Sequence, residues 1–167
     1  MKLFLILFLS LVGGLTGWYF YCVNPAMDDF QAAVDGGKPE ALTPFLDVLA
    51  LKKNVSDYIK LRYNKTDNPS GNMSPDQIQA LVDAFVTPQN ILLMMKGVYL
   101  EPGMTPPDTV DDKTPHPMDK HFAGPDVYAI DIYKSQVQTP DNKLTLIFQR
   151  DGWFGWKLSA YGFSWGG

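Results

Sequence analysis

Hydrophobic and polar positions divide this chain into three unlike regions. From Leu3 to Val23 there is no charged residue, and leucine, phenylalanine and isoleucine dominate. That run has the roughly 20 residues an α-helix needs to cross a bilayer core. The middle of the chain alternates short amphipathic stretches with proline, glycine and aspartate punctuation. Its last part switches to a period of two, the spacing of half-buried strands.

In the middle region the pattern predicts several short helices. Pro25 is expected to end or kink the apolar helix, and Ala26 to Val34 then resumes with Phe30, Ala33 and Val34 on one face. Asp35-Gly36-Gly37 stops it, glycine being the usual left-handed cap. Pro39 opens a helical turn through Leu42, which Pro44 interrupts. Asp47 is placed to cap a helix from Val48 to Tyr63, with Val48, Leu51, Val55, Tyr58 and Ile59 as its apolar stripe and Lys52, Lys53, Asp57 and Lys60 opposite. Ser74-Pro75 and Thr87-Pro88 each pair an N-cap with proline at the first helical position. They start two helices, the first facing inward through Ile78, Leu81, Val82 and Phe85. The second, Gln89 to Lys96, faces inward through Ile91, Leu92 and Met95, and Gly97 ends it. Between the helices, Asn64 to Asn72 reads as a polar loop. It is oxygen-rich, but Pro69 stands where a calcium ligand would belong and no glutamate closes it.

Glu101 to Pro125 has no periodicity and carries Pro102, Pro106, Pro107, Pro115, Pro117 and Pro125. No regular element is expected at that density of proline. Alternation begins after it, with Tyr128, Ile130 and Ile132 on one face of a strand and Val127, Ala129, Asp131 and Tyr133 on the other. Thr139 to Asn142 turns the chain into a second strand facing inward through Leu144, Leu146 and Phe148. Asp151-Gly152 suits a tight hairpin, because glycine takes positive φ without a Cβ clash. A third strand then places Trp156, Leu158 and Ala160 on one side and Lys157, Ser159 and Tyr161 on the other. The expected fold is α+β: an N-terminal transmembrane helix over residues 1–25, then one domain over 26–167. In that domain amphipathic helices precede a C-terminal antiparallel meander of about three strands, with a Pro-rich loop at 101–125.

Charge sets the orientation of the anchor. Lys2 and the terminal amine precede the apolar run, and Asp28 and Asp29 follow it. The preference for positive residues on the cytoplasmic side then leaves the N-terminus cytoplasmic and the domain outside. Trp18, Tyr19, Phe20 and Tyr21 suit the headgroup level at the far end. Leu15-Thr16-Gly17 is the best cleavage candidate, yet it lies inside the apolar run, and Cys22 follows residues too bulky for lipoprotein processing. The segment is therefore expected to stay as an anchor. Gly13 and Gly17 have the spacing of a helix-pairing motif, so a homodimer through them is one candidate partnership.

The formal charge of −4, from 14 basic and 18 acidic residues without a basic cluster, gives no footprint for nucleic acid. With Cys22 the only cysteine, no intramolecular disulfide can form.

Motifs across nearly the whole chain resemble the bacterial domain-of-unknown-function family 2939. They are the membrane segment, the helix ending in Asp35-Gly36-Gly37, the helix start Asp47-Val48-Leu49-Ala50-Leu51-Lys52 and the junction Val82-Asp83-Ala84-Phe85-Val86-Thr87-Pro88. A closing hairpin, Phe148-Gln149-Arg150-Asp151-Gly152 leading to Trp156-Lys157-Leu158, completes the set. The resemblance implies a protein anchored in the inner membrane of a bacterial cell envelope and carries no activity. Helices followed by a meander are also similar, at the level of fold, to the cystatin-like and nuclear-transport-factor-like proteins, which often hold a pocket between sheet and helices.

Catalytic signatures are missing: there is no nucleophile elbow, Walker-type loop, dinucleotide fingerprint or Cys-x-x-Cys pair. The reading is therefore a binding or interaction domain with a protein partner in the envelope, and no catalytic or cofactor-binding residue is assigned. Its alternative is an enzyme with a cone-shaped pocket using Asp131 or Asp83 as general base. The plainer expectation places Asp83 in solvent and Asp131 on the outer face of the sheet. His116 and His121, near Asp111, Asp112 and Asp119, allow a metal site to be drawn, but their spacing matches no helical ligand pair and a mobile loop would not preorganise them. No metal is assigned. Arg150 and Asp151 are read as polarising the hairpin turn, Lys157 as lying along apolar surface, and Trp156 as a core anchor.

Overall fold

Local signals place most of the helices. The computed structural model describes residues 2–21, 23–63, 73–98, 100–107, 116–133, 142–152 and 155–165. Helix α1 (Lys2–Tyr21) covers 20 residues, about 30 Å at 1.5 Å per residue. It belongs to an N-terminal helical stretch long and apolar enough to cross a membrane. Its Phe4, Leu7 and Leu11 stay more than 60% exposed to the surroundings. A Cβ added at Gly13 or Gly17 would meet nothing within 4 Å. Helix α2 (Val23–Asp35) begins three residues before Ala26 and carries Pro25 in its first turn. There a missing N–H costs least, so the proline does not delay the helix.

A 3₁₀ segment, Pro39–Phe45, runs on past Pro44. Helix α3 (Val48–Tyr63) is capped as expected, the Asp47 carboxylate accepting from Ala50 N at 3.0 Å. Leu51, Val55 and Ile59 are fully buried, while Val48 is left exposed. Helix α4 (Pro75–Phe85) starts in a reciprocal capping box between Ser74 and Gln77. Helix α5 (Pro88–Met95) starts at Thr87, turns 59° from α4, and is buried from Asn90 to Met95. The buried Asn90 amide holds the bend by donating to the Ala84 and Phe85 carbonyls. The polar loop read at 64–72 and the turn at 139–141 lie outside the described residues.

Among the described residues the sheet has four strands, in the order β1 (Met118–Gly124), β2 (Val127–Tyr133), β3 (Asn142–Asp151) and β4 (Gly155–Trp165), and every neighbour pair is antiparallel. Strand β1 corrects the expectation of a structureless excursion through Pro125. The segment Met118 to Gly124 contains no proline, so its amides are free to pair with β2.

A second correction concerns facing in β4. Ile147 pairs with Ala160 but Phe148 pairs with Leu158, which leaves Ser159 as an extra residue whose hydroxyl donates to the Ile147 carbonyl at 3.2 Å. This bulge reverses the alternation beyond it. Tyr161, expected outside, is 3% exposed in the core, and Ala160 turns outward.

The core lies between the helices and the inner face of the sheet. Phe30 of α2 meets Phe148 at 5.0 Å and Phe45 at 5.8 Å, both edge-to-face. Such pairs add about 1 kcal/mol each to the burial of the rings. The free edge of β4 is engaged by Asp47 N donating to the Leu158 carbonyl, and by Tyr161 N donating to the Asn54 side chain, each at 2.9 Å. Among the described strands, β1 forms the other edge.

Candidate functional site

The hairpin of β3 and β4 meets the exit of the apolar helix, and Arg150 makes the joint. Because Phe148 faces inward, Arg150 does too, opposite Trp156 in the register. Its side chain is only 7% exposed. The guanidinium lies 3.6 Å from the Tyr19 ring centre and 4.6 Å from that of Trp156. It donates to the Tyr19 carbonyl at 2.7 Å and to the Asp126 carboxylate at 3.2 Å. The Tyr19 hydroxyl donates to the same carboxylate. A cation between two rings, with its donors satisfied by a carbonyl and an anion, is favourable even out of water. The sequence had suggested only a polarised turn, since nothing in the local spacing links residue 19 to residue 150.

Beside this joint opens a cleft of about 410 Å³. Trp18, Tyr21, Phe45 and Trp156 supply aromatic surface, and Asp29, Asp151 and Lys157 supply charge. Lys157 pairs with Asp151 at 2.7 Å, and that carboxylate holds the ammonium above the usual lysine range. Trp156 itself is 2% exposed, and its indole N–H has no hydrogen-bond partner among the described residues. Gly152, with φ of 69°, allows the hairpin its turn.

The two carboxylates singled out by sequence sit elsewhere. Asp131 is on the outer face of the sheet, as the plainer expectation held, yet it is 2% exposed. It accepts from Lys143 Nζ at 2.5 Å and from the Thr145 hydroxyl at 2.6 Å. This pairing raises the Lys143 pKa above its ordinary value. The space between helices and sheet, where a cone-shaped pocket would lie, is occupied by Phe148, Trp156 and Tyr128, all buried. Asp83 is exposed on α4 and pairs with Lys52 at 2.6 Å. That hydrogen bond holds its carboxyl below the usual range, which weakens it as a base.

The two histidines separate. His116 Nδ1 donates to the Tyr133 carbonyl at 3.0 Å, and its ring packs so closely on Gly97 that an added Cβ there would lie 1.8 Å from it. Gly97 also has φ of 81°, so glycine is required twice over. His121 is exposed on β1. Asp111 and Asp112 lie outside the described residues.

Comparison of the chain with protein-family models, with curated proteins and with solved structures finds no match.

Proposed function

We propose that this chain is a single-pass protein of a bacterial cell envelope whose extracytoplasmic α+β domain binds an amphipathic ligand at the membrane surface. The observation that carries the reading is the cleft at the foot of the domain, where the membrane-length helix ends. If α1 spans the bilayer, Trp18 and Tyr21 sit at headgroup depth, and the cleft opens where the environment changes from apolar to wet. Its volume falls within the range of small-molecule sites, and its mixture of rings with a few charges suits a ligand having one apolar and one polar end. The charge asymmetry about the apolar run supports a cytoplasmic N-terminus.

Native mass spectrometry of the full chain extracted in mild detergent tests the ligand. Bound amphiphile is expected on the wild type and should be lost in Ala26→Phe, which fills the cleft from α2. Equal loading of both proteins would remove the cleft from consideration. Orientation is read separately, from reporter enzymes fused at the C-terminus.

A further inference from the structure

On the outer face of the sheet, the pairing of β1 with β2 sets Asp131 beside two groups of β1. Asp119 lies directly across from Asp131 in the register, and His121, two residues further along β1, lies on the same face. One ligand atom from each of Asp119, His121 and Asp131 lies within 4.8 Å of the other two. Opposite His121 stands Ala129, whose methyl is the smallest side chain that could face it.

We infer that Asp119, His121 and Asp131 form a binding site for a divalent transition-metal ion, of which zinc is the best fit. The donor set is one imidazole nitrogen and two carboxylate oxygens. The imidazole favours zinc over magnesium or calcium, which prefer oxygen ligands alone. In a zinc site with bonds near 2.1 Å, tetrahedral ligands stand about 3.5 Å apart, and atoms that already lie within 4.8 Å of one another reach that spacing by side-chain movement alone. Asp119 and His121 can make that movement. Both side chains are exposed.

Asp131 supplies the fixed point. Its carboxylate is nearly buried and held from one side by the Thr145 hydroxyl, so it cannot rotate away. Its other oxygen already holds a cation, the ammonium of Lys143. Asp119 brings a second carboxylate to the same face, where Lys143 is the cation paired with Asp131. A divalent ion pairs with both carboxylates while Lys143, whose side chain is 25% exposed, turns toward solvent. Three protein ligands leave a fourth position for water or for a group from another molecule. The objection raised by the sequence, that a mobile loop cannot preorganise ligands, does not hold for residues on a paired strand.

Zinc titration of the full chain in detergent micelles, followed by calorimetry and thermal melting, tests the site. Saturable binding of one ion and a rise in Tm are expected with Zn²⁺ and not with Mg²⁺. His121→Ala and Asp119→Asn, both on exposed positions, should fold as the wild type does without metal and weaken zinc by about tenfold or more each. Co²⁺ should give a visible absorption band that the His121→Ala protein lacks. Absence of saturable zinc binding would overturn the assignment. So would binding that survives the double substitution, because the ion would then be held by other residues.

Discussion

Trp156 shows how much one side chain carries here. Its ring is 2% exposed, faces Tyr128 and Phe122 at 6.3 and 6.2 Å, and takes the Arg150 guanidinium on its face. Trp156→Ala is expected to destabilise the domain by about 3 to 5 kcal/mol, read from denaturant midpoints. A loss near zero would mean that the ring is not core. Lys143 makes a pH-dependent contribution. Its folded pKa is raised, chiefly by the hydrogen bond to Asp131, so the stabilisation is complete below the ordinary lysine value of 10.5 and is lost as pH rises through the higher folded value. Lys143→Met strands the buried Asp131 charge and should cost about 3 kcal/mol at pH 8. It should also flatten the fall in stability between about pH 10 and pH 12. An unchanged alkaline limb in the variant would show that the pair contributes nothing there.

At the scale of elements, caps were legible and facing was not always so. Asp47, Ser74 and Thr87 start their helices as their spacing indicates, because capping is a contact between residues three apart. The bulge at Ser159 gave no such signal. Whether a strand carries an extra residue is decided by its partner, and only the pairing of β4 with β3 turns Tyr161 inward against Phe85, 5.9 Å away. Burial in turn pushes the Tyr161 phenol up from its ordinary value. Deleting Ser159 removes the extra residue, so Ala160 follows Leu158 directly and the register to β3 closes without a bulge. Tyr161 should keep its place in the core opposite Leu146, and cooperative melting should be retained. Loss of cooperative melting in the deletion variant would refute Ser159 as the extra residue that sets the facing. Strand β1 is the opposite case, since the prolines on either side obscured a seven-residue strand.

For the whole molecule the question is how the apolar helix and the domain act on one another. Arg150 bridges Tyr19 of the helix and Trp156 of the sheet, so the foot of the domain is tied to the end of the membrane-length segment. Arg150→Met keeps much of the apolar stem but removes the charge and its donors. Hydrogen exchange should then quicken by about tenfold or more around Tyr19 to Val23 while the amides of β2 keep their protection. Equal exchange in both proteins would argue that the joint is held by other contacts. The cleft depends on the same joint, because Trp18 and Tyr21 form one wall and the hairpin the other.

By itself the sequence determined the membrane-length helix, the helix starts, the α+β order and most of the core. Each of these follows from composition or from contacts within a few residues, where spacing and chemistry suffice. Tertiary structure alone decided the rest. It paired β1 into the sheet, reversed the facing of Tyr161, brought Arg150 onto Tyr19, and set Asp119 and His121 beside Asp131. All of these join residues distant in the chain or depend on strand register, and register is settled by which partner edge satisfies the backbone and which face the core requires.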